Sequence, residues 1–274
     1  MDRGQAIYHV LYKRNLIMSI RTNKLKQKLA AGGLVLSGGV RLPEPGLVEV
    51  MGYAGVDYVL IDAEHGSMGW TEIERMVLAA YAADTTPIVR VHENDEARIM
   101  RALDLGAMGV LVPHIRTAEE AQHVVDGAFY PPQGKRGVGP SRGIKFGAVS
   151  SADYYANINN EISVSLMIED AEAIDNIDEI VEVAGIDVLN VGTSDLAASL
   201  GVPGQPLHEK VAEASEKVLA AAARKGIAVG YPTRGLDDGI EAIKRGFRVL
   251  SCGNAAPLLF EAVSQKLETL RGAE

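Results

Sequence analysis

An apolar run that stops in a cluster of ionisable side chains, Tyr58-Val-Leu-Ile-Asp-Ala-Glu-His65, constrains this chain more than any other segment. Val59, Leu60 and Ile61 read as a strand buried on both faces. Asp62, Glu64 and His65 follow at once, although burying such groups without partners costs several kcal/mol. The pattern returns in Ile88-Val89-Arg90, in Leu166-Met167-Ile168-Glu169 and in Leu189-Asn190-Val191-Gly192-Thr193-Ser194-Asp195. The C-terminal ends of parallel strands share one face, the face where ligands bind. Apolar strands that each end in a charge therefore predict one shared, enzyme-like site.

Strand-like and helix-like segments alternate along the whole chain. The expected strands are Leu34–Val40, Tyr58–Ile61, Ile88–Val91, Gly109–Pro113, Val164–Ile168, Asp187–Val191, Ala228–Tyr231 and Arg248–Ser251. Between them lie amphipathic stretches such as Trp70–Ala83, Asp95–Leu105, Thr117–Phe129, Ala171–Ala184, Leu207–Lys225, Leu236–Lys244 and Pro257–Leu270. Gly55, Gly106, Gly185, Gly226 and Gly246 each follow a helical stretch, where glycine readily supplies a left-handed cap. This order predicts an α/β fold, a single (β/α)8 TIM barrel over residues 21–274. The runner-up is a doubly wound open sheet, weakened by the lack of a Gly-x-Gly-x-x-Gly after the first strand. Residues 1–20 have no signal-peptide pattern, and an extension, disordered in part, is expected before a natural start near Met18.

The 274-residue length suits one large domain, and 47% hydrophobic residues suffice for a full core. A formal charge of −9 argues against nucleic acid or an anionic membrane as partner. The single cysteine, Cys252, excludes an internal disulfide, fits a reducing cytoplasm and has no strong claim as a nucleophile. No apolar stretch approaches the roughly 20 residues of a membrane span. A long glycine-rich connection, Tyr130 to Gly147, carries Lys135, Arg136, Arg142 and Lys145. It reads as a lid or binding loop, with a solvated basic loop as the plain alternative.

At the mouth of a barrel Glu169 and Asp195 would converge from neighbouring strands. Paired carboxylates with room for water or substrate oxygens suit a hard divalent cation such as Mg²⁺ or Mn²⁺, with Co²⁺ a further candidate. The competing reading is helix capping, open to both Asp170 and Asp195. Arg90 would meet an anionic substrate, or else pair with Asp62 or Glu64. His65 is the candidate base, with His92 and His114 as substitutes at other strand ends. Gly192-Thr193-Ser194 would offer backbone N–H groups to a substrate carboxylate.

Taken together, Asp62-Ala-Glu-His65, the Val-Arg90-Val strand, Leu103-Asp104-Leu-Gly-Ala107, Tyr130-Pro-Pro-Gln-Gly-Lys-Arg-Gly-Val-Gly139, Ile168-Glu169 and Gly192-Thr-Ser-Asp195-Leu-Ala-Ala-Ser-Leu-Gly201 resemble the HpcH/HpaI aldolase family, across about residues 22–265. That resemblance implies a metal-dependent class II pyruvate aldolase. Such an enzyme reversibly cleaves 4-hydroxy-2-oxo acids to pyruvate and an aldehyde through a metal-stabilised enolate, in aromatic or sugar-acid catabolism. It implies Glu169 and Asp195 as metal ligands and His65 as base. Arg90 would steady the enolate, and Gly192, Ser194 and Asp195 would bind substrate. Asp62 and Glu64 would hold water and orient their neighbours. Asp104 would raise the basicity of His65, but the helix that ends at Asp104 points to the opposite face of a barrel. The resemblance therefore implies a homo-oligomer, a hexamer, in which Asp104 serves a neighbour's His65; the plain alternative is a local cap or salt bridge made by Asp104 at that opposite face. Met167 stands where members often carry glutamine, which removes one substrate hydrogen bond, and Gly-Thr-Ser-Asp-Leu replaces Gly-Pro-Ala-Asp-Leu. The alternatives are a citrate-lyase-type lyase or decarboxylase on the same scaffold, or a non-catalytic metabolite-binding barrel.

Overall fold

Strand pairing closes into a ring. The computed structural model describes residues 20–139 and 141–273, and its eight parallel strands pair in chain order until the last meets the first. They are β1 (Val35–Val40), β2 (Tyr58–Asp62), β3 (Thr86–Arg90), β4 (Gly109–Val112), β5 (Ser163–Ile168), β6 (Val188–Val191), β7 (Ala228–Pro232) and β8 (Val249–Asn254). The helices are α1 (Lys24–Ala30), α2 (Pro45–Tyr53), α3 (Trp70–Ala82), α4 (Glu96–Asp104), α5 (Ala118–Ala128), α6 (Ser151–Asn157), α7 (Ala171–Asp175), α8 (Ile177–Ile180), α9 (Thr193–Ser199), α10 (Glu209–Lys225), α11 (Leu236–Arg245) and α12 (Ala255–Arg271). The (β/α)8 barrel is the expected fold, and the β1–β8 pairing excludes the open sheet. The extension expected over residues 1–20 lies outside the described residues except for Ile20. Among the described residues no helix is long and apolar enough to cross a membrane.

Each expected strand is present, and the five capping glycines all have positive φ. The expected helix over 171–184 divides into α7 and α8 at Asn176. The Asn176 carboxamide donates to the Arg116 carbonyl at 2.9 Å, an example of a short polar side chain competing with helix continuation. The unanticipated helix α2 begins with Pro45 at its first turn, and the Glu44 carboxylate accepts the Gly46 N–H.

Two apolar layers hold the barrel. Between sheet and helices runs the main core, where Val48, Ile73, Met76, Ile99, Val124 and Leu196 pack against outward-facing strand residues. Inside the ring, Leu25 of α1 plugs the floor against Val35, Tyr58, Ile88, Leu111, Val188 and Val249. Asn23 fixes that plug: its buried carboxamide donates to the Met108 and Glu161 carbonyls and accepts from Lys26 N–H. Above this floor the interior turns polar. Two carboxamides there stand against glycines across the ladder: Asn254 is in register with Gly39 and Asn190 with Gly230. A Cβ on either glycine would overlap the facing Oδ1.

Residues 130–139 and 141–147 do not form a lid over this chain's own mouth, nor are they simply a solvated basic loop. Arg136 is buried, its Nη2 2.6 Å from Asp104 Oδ1 and its guanidinium 4.5 Å over the Tyr130 ring. Lys135 reaches Asp126 at 2.7 Å, and Arg142 pairs with Glu74. The helix α12 stands apart in a different way: among its described side chains only Ala255 is buried, while Leu259, Phe260 and Leu270 are exposed.

Register also sets Asp62 directly against Arg90 at the ends of β2 and β3. Asp62 is 1% exposed, and both Nε and Nη2 of Arg90 donate to its carboxylate. Burial is the largest influence on Asp62 and pushes its carboxyl up. Arg90, the His65 N–H and Arg41 together outweigh burial and hold the carboxyl below its ordinary 3.8. The pair's stabilisation is therefore complete at neutral pH and is lost as the pH falls below the ordinary carboxylate range. Removing one member of such a pair strands a buried charge, so Asp62→Ala should lower stability by about 3–5 kcal/mol in urea unfolding at neutral pH. The gap from the parent protein should narrow as the titration is repeated at acid pH. A loss below about 1 kcal/mol would place the pair among ordinary surface ion pairs.

Candidate active site

The strand ends and the loops just beyond them surround a cavity of about 550 Å³. His65, Arg90, Glu169, Gly192, Ser194 and Asp195 all line it. Asp104 does not: it ends α4 at the opposite face and, in this chain, pairs with Arg136. His92 also lies away from the cavity.

Glu169 is the electrostatic centre. It ends β5 at 3% exposure and accepts the His114 N–H at 2.9 Å. Burial pushes its carboxyl up to about 7, with Asp195 and Glu64 adding to that and His114 opposing it. Arg90 lines the same cavity and is near enough to feel the Glu169 charge, but its guanidinium is engaged by Asp62 and Glu64. The donor set, carboxylate oxygens from Glu169 and Asp195, fits a hard divalent cation. Among the described residues no group of three or more His, Cys, Asp or Glu side chains is arranged to hold a metal. A cation held by these two acids would complete its shell with water or substrate oxygens, as Mg²⁺ commonly does. Gly192 makes the arrangement possible, because a Cβ there would come within 2.6 Å of Glu169 Oε2.

Neither capping alternative is realised. Asp195 lies inside the first turn of α9, whose N-cap is Gly192. Asp170 precedes α7 without capping it, and its carboxylate instead lies 3.2 Å from His114 Nδ1. His114 Nδ1 is also 3.4 Å from Glu169 Oε1. Partial burial lowers the His114 pKa, but Glu169, Asp170 and Glu64 outweigh it and raise the value overall. His114 thus braces Glu169 and does not line the cavity. Its φ of +54° is a left-handed conformation, uncommon outside glycine.

Arg90 takes the structural pairing that its sequence position left open, and lines the cavity as well. Its Nη1 lies 3.0 Å from Glu64 Oε2, close in distance but without the alignment of a hydrogen bond. His65 Nε2 is 3.6 Å from the same oxygen, and the His65 N–H donates to Asp62 Oδ1 at 3.2 Å. The chain Arg90–Asp62–His65–Glu64 thus orders one wall. Cys252 is exposed, and partial burial with the Asp57 charge pushes its thiol up, the wrong direction for a nucleophile.

Several lining residues escape a reading based on charged strand ends. Arg41 directly follows β1, so the same rule applied to Val40-Arg41 would have found it. Its Nε donates to Asp62 Oδ2 at 2.8 Å. Arg234 follows β7 after one intervening residue, and Asn190 and Asn254 are uncharged; all three line the cavity. Asn190 stands in register with Met167, so a carboxamide lies beside the methionine where the glutamine was missed.

Comparison with known proteins agrees with this geometry. Residues 40–262 match the family model described as HpcH/HpaI aldolase/citrate lyase. A 5-keto-4-deoxy-D-glucarate aldolase from Klebsiella pneumoniae subsp. pneumoniae is 35% identical over 250 residues, covering 91% of this chain and 96% of that protein. A crystal structure of an HpcH/HpaI aldolase/citrate lyase family protein from Burkholderia cenocepacia superposes with a TM-score of 0.87 at 32% identity, covering 91% of this chain and all of that one (100%). An HpcH/HpaI aldolase from Desulfitobacterium hafniense gives a TM-score of 0.85 at 35% identity, covering 90% of this chain and 96% of that one. With the barrel, the strand-end acids and the matched length in agreement, the chain belongs to the HpcH/HpaI aldolase/citrate lyase family and is a carbon–carbon lyase.

Proposed function

We propose that this protein reversibly cleaves 4-hydroxy-2-oxo acids to pyruvate and an aldehyde. The observation that carries the reading is the convergence of Glu169, Asp195, Arg90 and His65 on one cavity at the C-terminal end of the barrel. The name of the Klebsiella relative supports a sugar-acid substrate. Glu169 and Asp195 would hold a divalent cation, Mg²⁺, Mn²⁺ or Co²⁺, which supplies Lewis-acid polarisation when bound.

In the cleavage direction His65 takes the proton of the C4 hydroxyl. The C3–C4 bond breaks, the aldehyde departs, and the electron pair stays on C3 as an enolate. Protonation at C3 gives pyruvate, and the reverse order makes the bond. Arg90, held in place by Asp62, presents a preoriented cation where negative charge grows. Backbone N–H groups at Gly192–Ser194 orient the substrate carboxylate. No described lysine lines the cavity, which argues against a Schiff base. Asp104 acts on His65 only from a neighbouring subunit, within a homo-oligomer of the hexameric kind. Support for assembly comes from α12, whose exposed Leu259, Phe260 and Leu270 leave an apolar surface to cover.

Chelation should abolish pyruvate release, and Mg²⁺, Mn²⁺ or Co²⁺ should restore it. Glu169→Ala should fail to bind metal in a titration while keeping its circular dichroism spectrum. Full turnover by metal-free protein would refute the cation's role.

His65→Ala should slow cleavage by roughly 10²-fold or more. Arg90→Lys should remain severely impaired, because the ammonium cannot reproduce the fork that grips Asp62. Near-normal turnover of that variant would reduce Arg90 to a diffuse positive charge.

Mixed oligomers test Asp104. A His65→Ala chain co-assembled with an Asp104→Ala chain should regain part of the activity, since some sites then contain both intact residues. No recovery in verified mixtures, or an active monomer, would confine Asp104 to its pairing with Arg136.

A further inference from the structure

The side chain of Arg136 is fully enclosed, at 0% exposure, yet it makes one ion pair. A guanidinium carries five N–H donors. Here Nη2 gives one to Asp104 Oδ1 at 2.6 Å, while Nε and Nη1 are buried without a hydrogen-bond partner among the described residues. Burying a cation with so few partners is costly, so its single contact and the frame around it need a reason.

The frame fixes the guanidinium from several sides. The Arg136 N–H donates to the Phe129 carbonyl at 2.9 Å, closing a tight turn off the end of α5. Gly134 is required in that turn, because a Cβ there would come within 2.4 Å of the same carbonyl oxygen. Both main-chain polar groups of Tyr130 are held by the Asn159 carboxamide, at 3.0 and 2.9 Å. The Tyr130 ring, set edge-on against Tyr155 at 4.7 Å, then lies 4.5 Å from the guanidinium that covers it.

Asp104, by contrast, keeps 26% of its side chain exposed. It is the last residue of α4, where a carboxylate meets the negative end of the helix dipole and is disfavoured. Its Oδ2 accepts no hydrogen bond among the described residues. A structural arginine–carboxylate pair commonly engages both oxygens through the fork. In this chain a caged cation grips one oxygen of an accessible carboxylate and leaves the other free to accept.

We propose that Arg136 is a positioning residue: it holds the Asp104 carboxylate in one orientation to accept a hydrogen bond from a neighbouring subunit's His65, so that the base of each site depends on an arginine buried in another chain. The proposal rests on the reading of Asp104 as partner to a neighbour's His65.

Crystal structures of the assembled oligomer, with turnover of its variants, test this. The wild-type structure should show Asp104 Oδ2 on a neighbouring subunit's His65, and that of Arg136→Gln should show the carboxylate displaced from it. Arg136→Gln should lower kcat by roughly tenfold or more with KM little changed, and by no more than Asp104→Asn does. In an Asp104→Asn background the same substitution should add nothing, because the residue it acts through is already gone. Arg136→Lys keeps a cation in the cage and should retain part of the rate; where Arg136→Gln fails to assemble, Arg136→Lys replaces it in each comparison. Asp104 still seated on His65 in Arg136→Gln, a kcat unchanged where Asp104→Asn is impaired, or losses that multiply in the double variant would overturn the proposal alone and make Arg136 a structural support. A wild-type oligomer in which Asp104 does not meet His65, or full turnover of Asp104→Asn, would overturn the reading beneath it as well.

Discussion

The mouth of this barrel is organised by one buried carboxylate. Asp62 sits at the end of β2 and receives Arg90 from β3 and Arg41 from beyond β1, while its own loop returns the His65 N–H to it. A lone charge at this depth would be costly, so every group that could rotate away is instead drawn inward. The consequence reaches the chemistry. Arg90 cannot turn toward solvent without stranding Asp62, and its Nη1 therefore stays beside Glu64. The β2–β3 register, which sets Asp62 opposite Arg90, is thus the constraint from which this cavity wall is built.

A second tension lies at Glu169. Its burial favours the neutral acid, while the His114 N–H favours the anion. The main chain at His114 is bent into a left-handed conformation, a departure that costs of order 1–3 kcal/mol and persists where surrounding contacts enforce it. Those contacts are the bond from its N–H to Glu169 and the approach of its ring to Asp170. Backbone strain and carboxylate placement are therefore linked where the loop after β4 meets the end of β5.

The barrel was legible because its signals are local and repeated. A strand buried on both faces must be apolar, and a glycine that follows a helix readily takes a positive φ, as Gly55, Gly106, Gly185, Gly226 and Gly246 do; both marks recur along the chain. The ionisable strand ends were legible for the opposite reason, since they conflict with a packed core and so need a site to explain them. Arg234 raises no such conflict, because a charge in a loop is the ordinary case. Only the closed ring shows that this loop faces the cavity. Asn190 and Asn254 were missed because a neutral carboxamide in a strand carries no charge to flag it. The break at Asn176 and the course of residues 130–147 depend on long-range partners, Arg116 in one case and Asp104 and Glu74 in the other, which no local pattern encodes.

The two carboxamides inside the ring have a meaning for how this chain can vary. Asn254 fills the volume that a side chain on Gly39 would need, and Asn190 does the same for Gly230. Enlarging either glycine alone forces an overlap, and shrinking either asparagine alone leaves a hole beneath the site. Each change is tolerable mainly in the company of its partner, so the effects of the two substitutions are far from additive. Such positions drift as pairs or not at all. A family of related barrels could therefore exchange which strand supplies the polar group at the cavity wall while keeping the wall's shape.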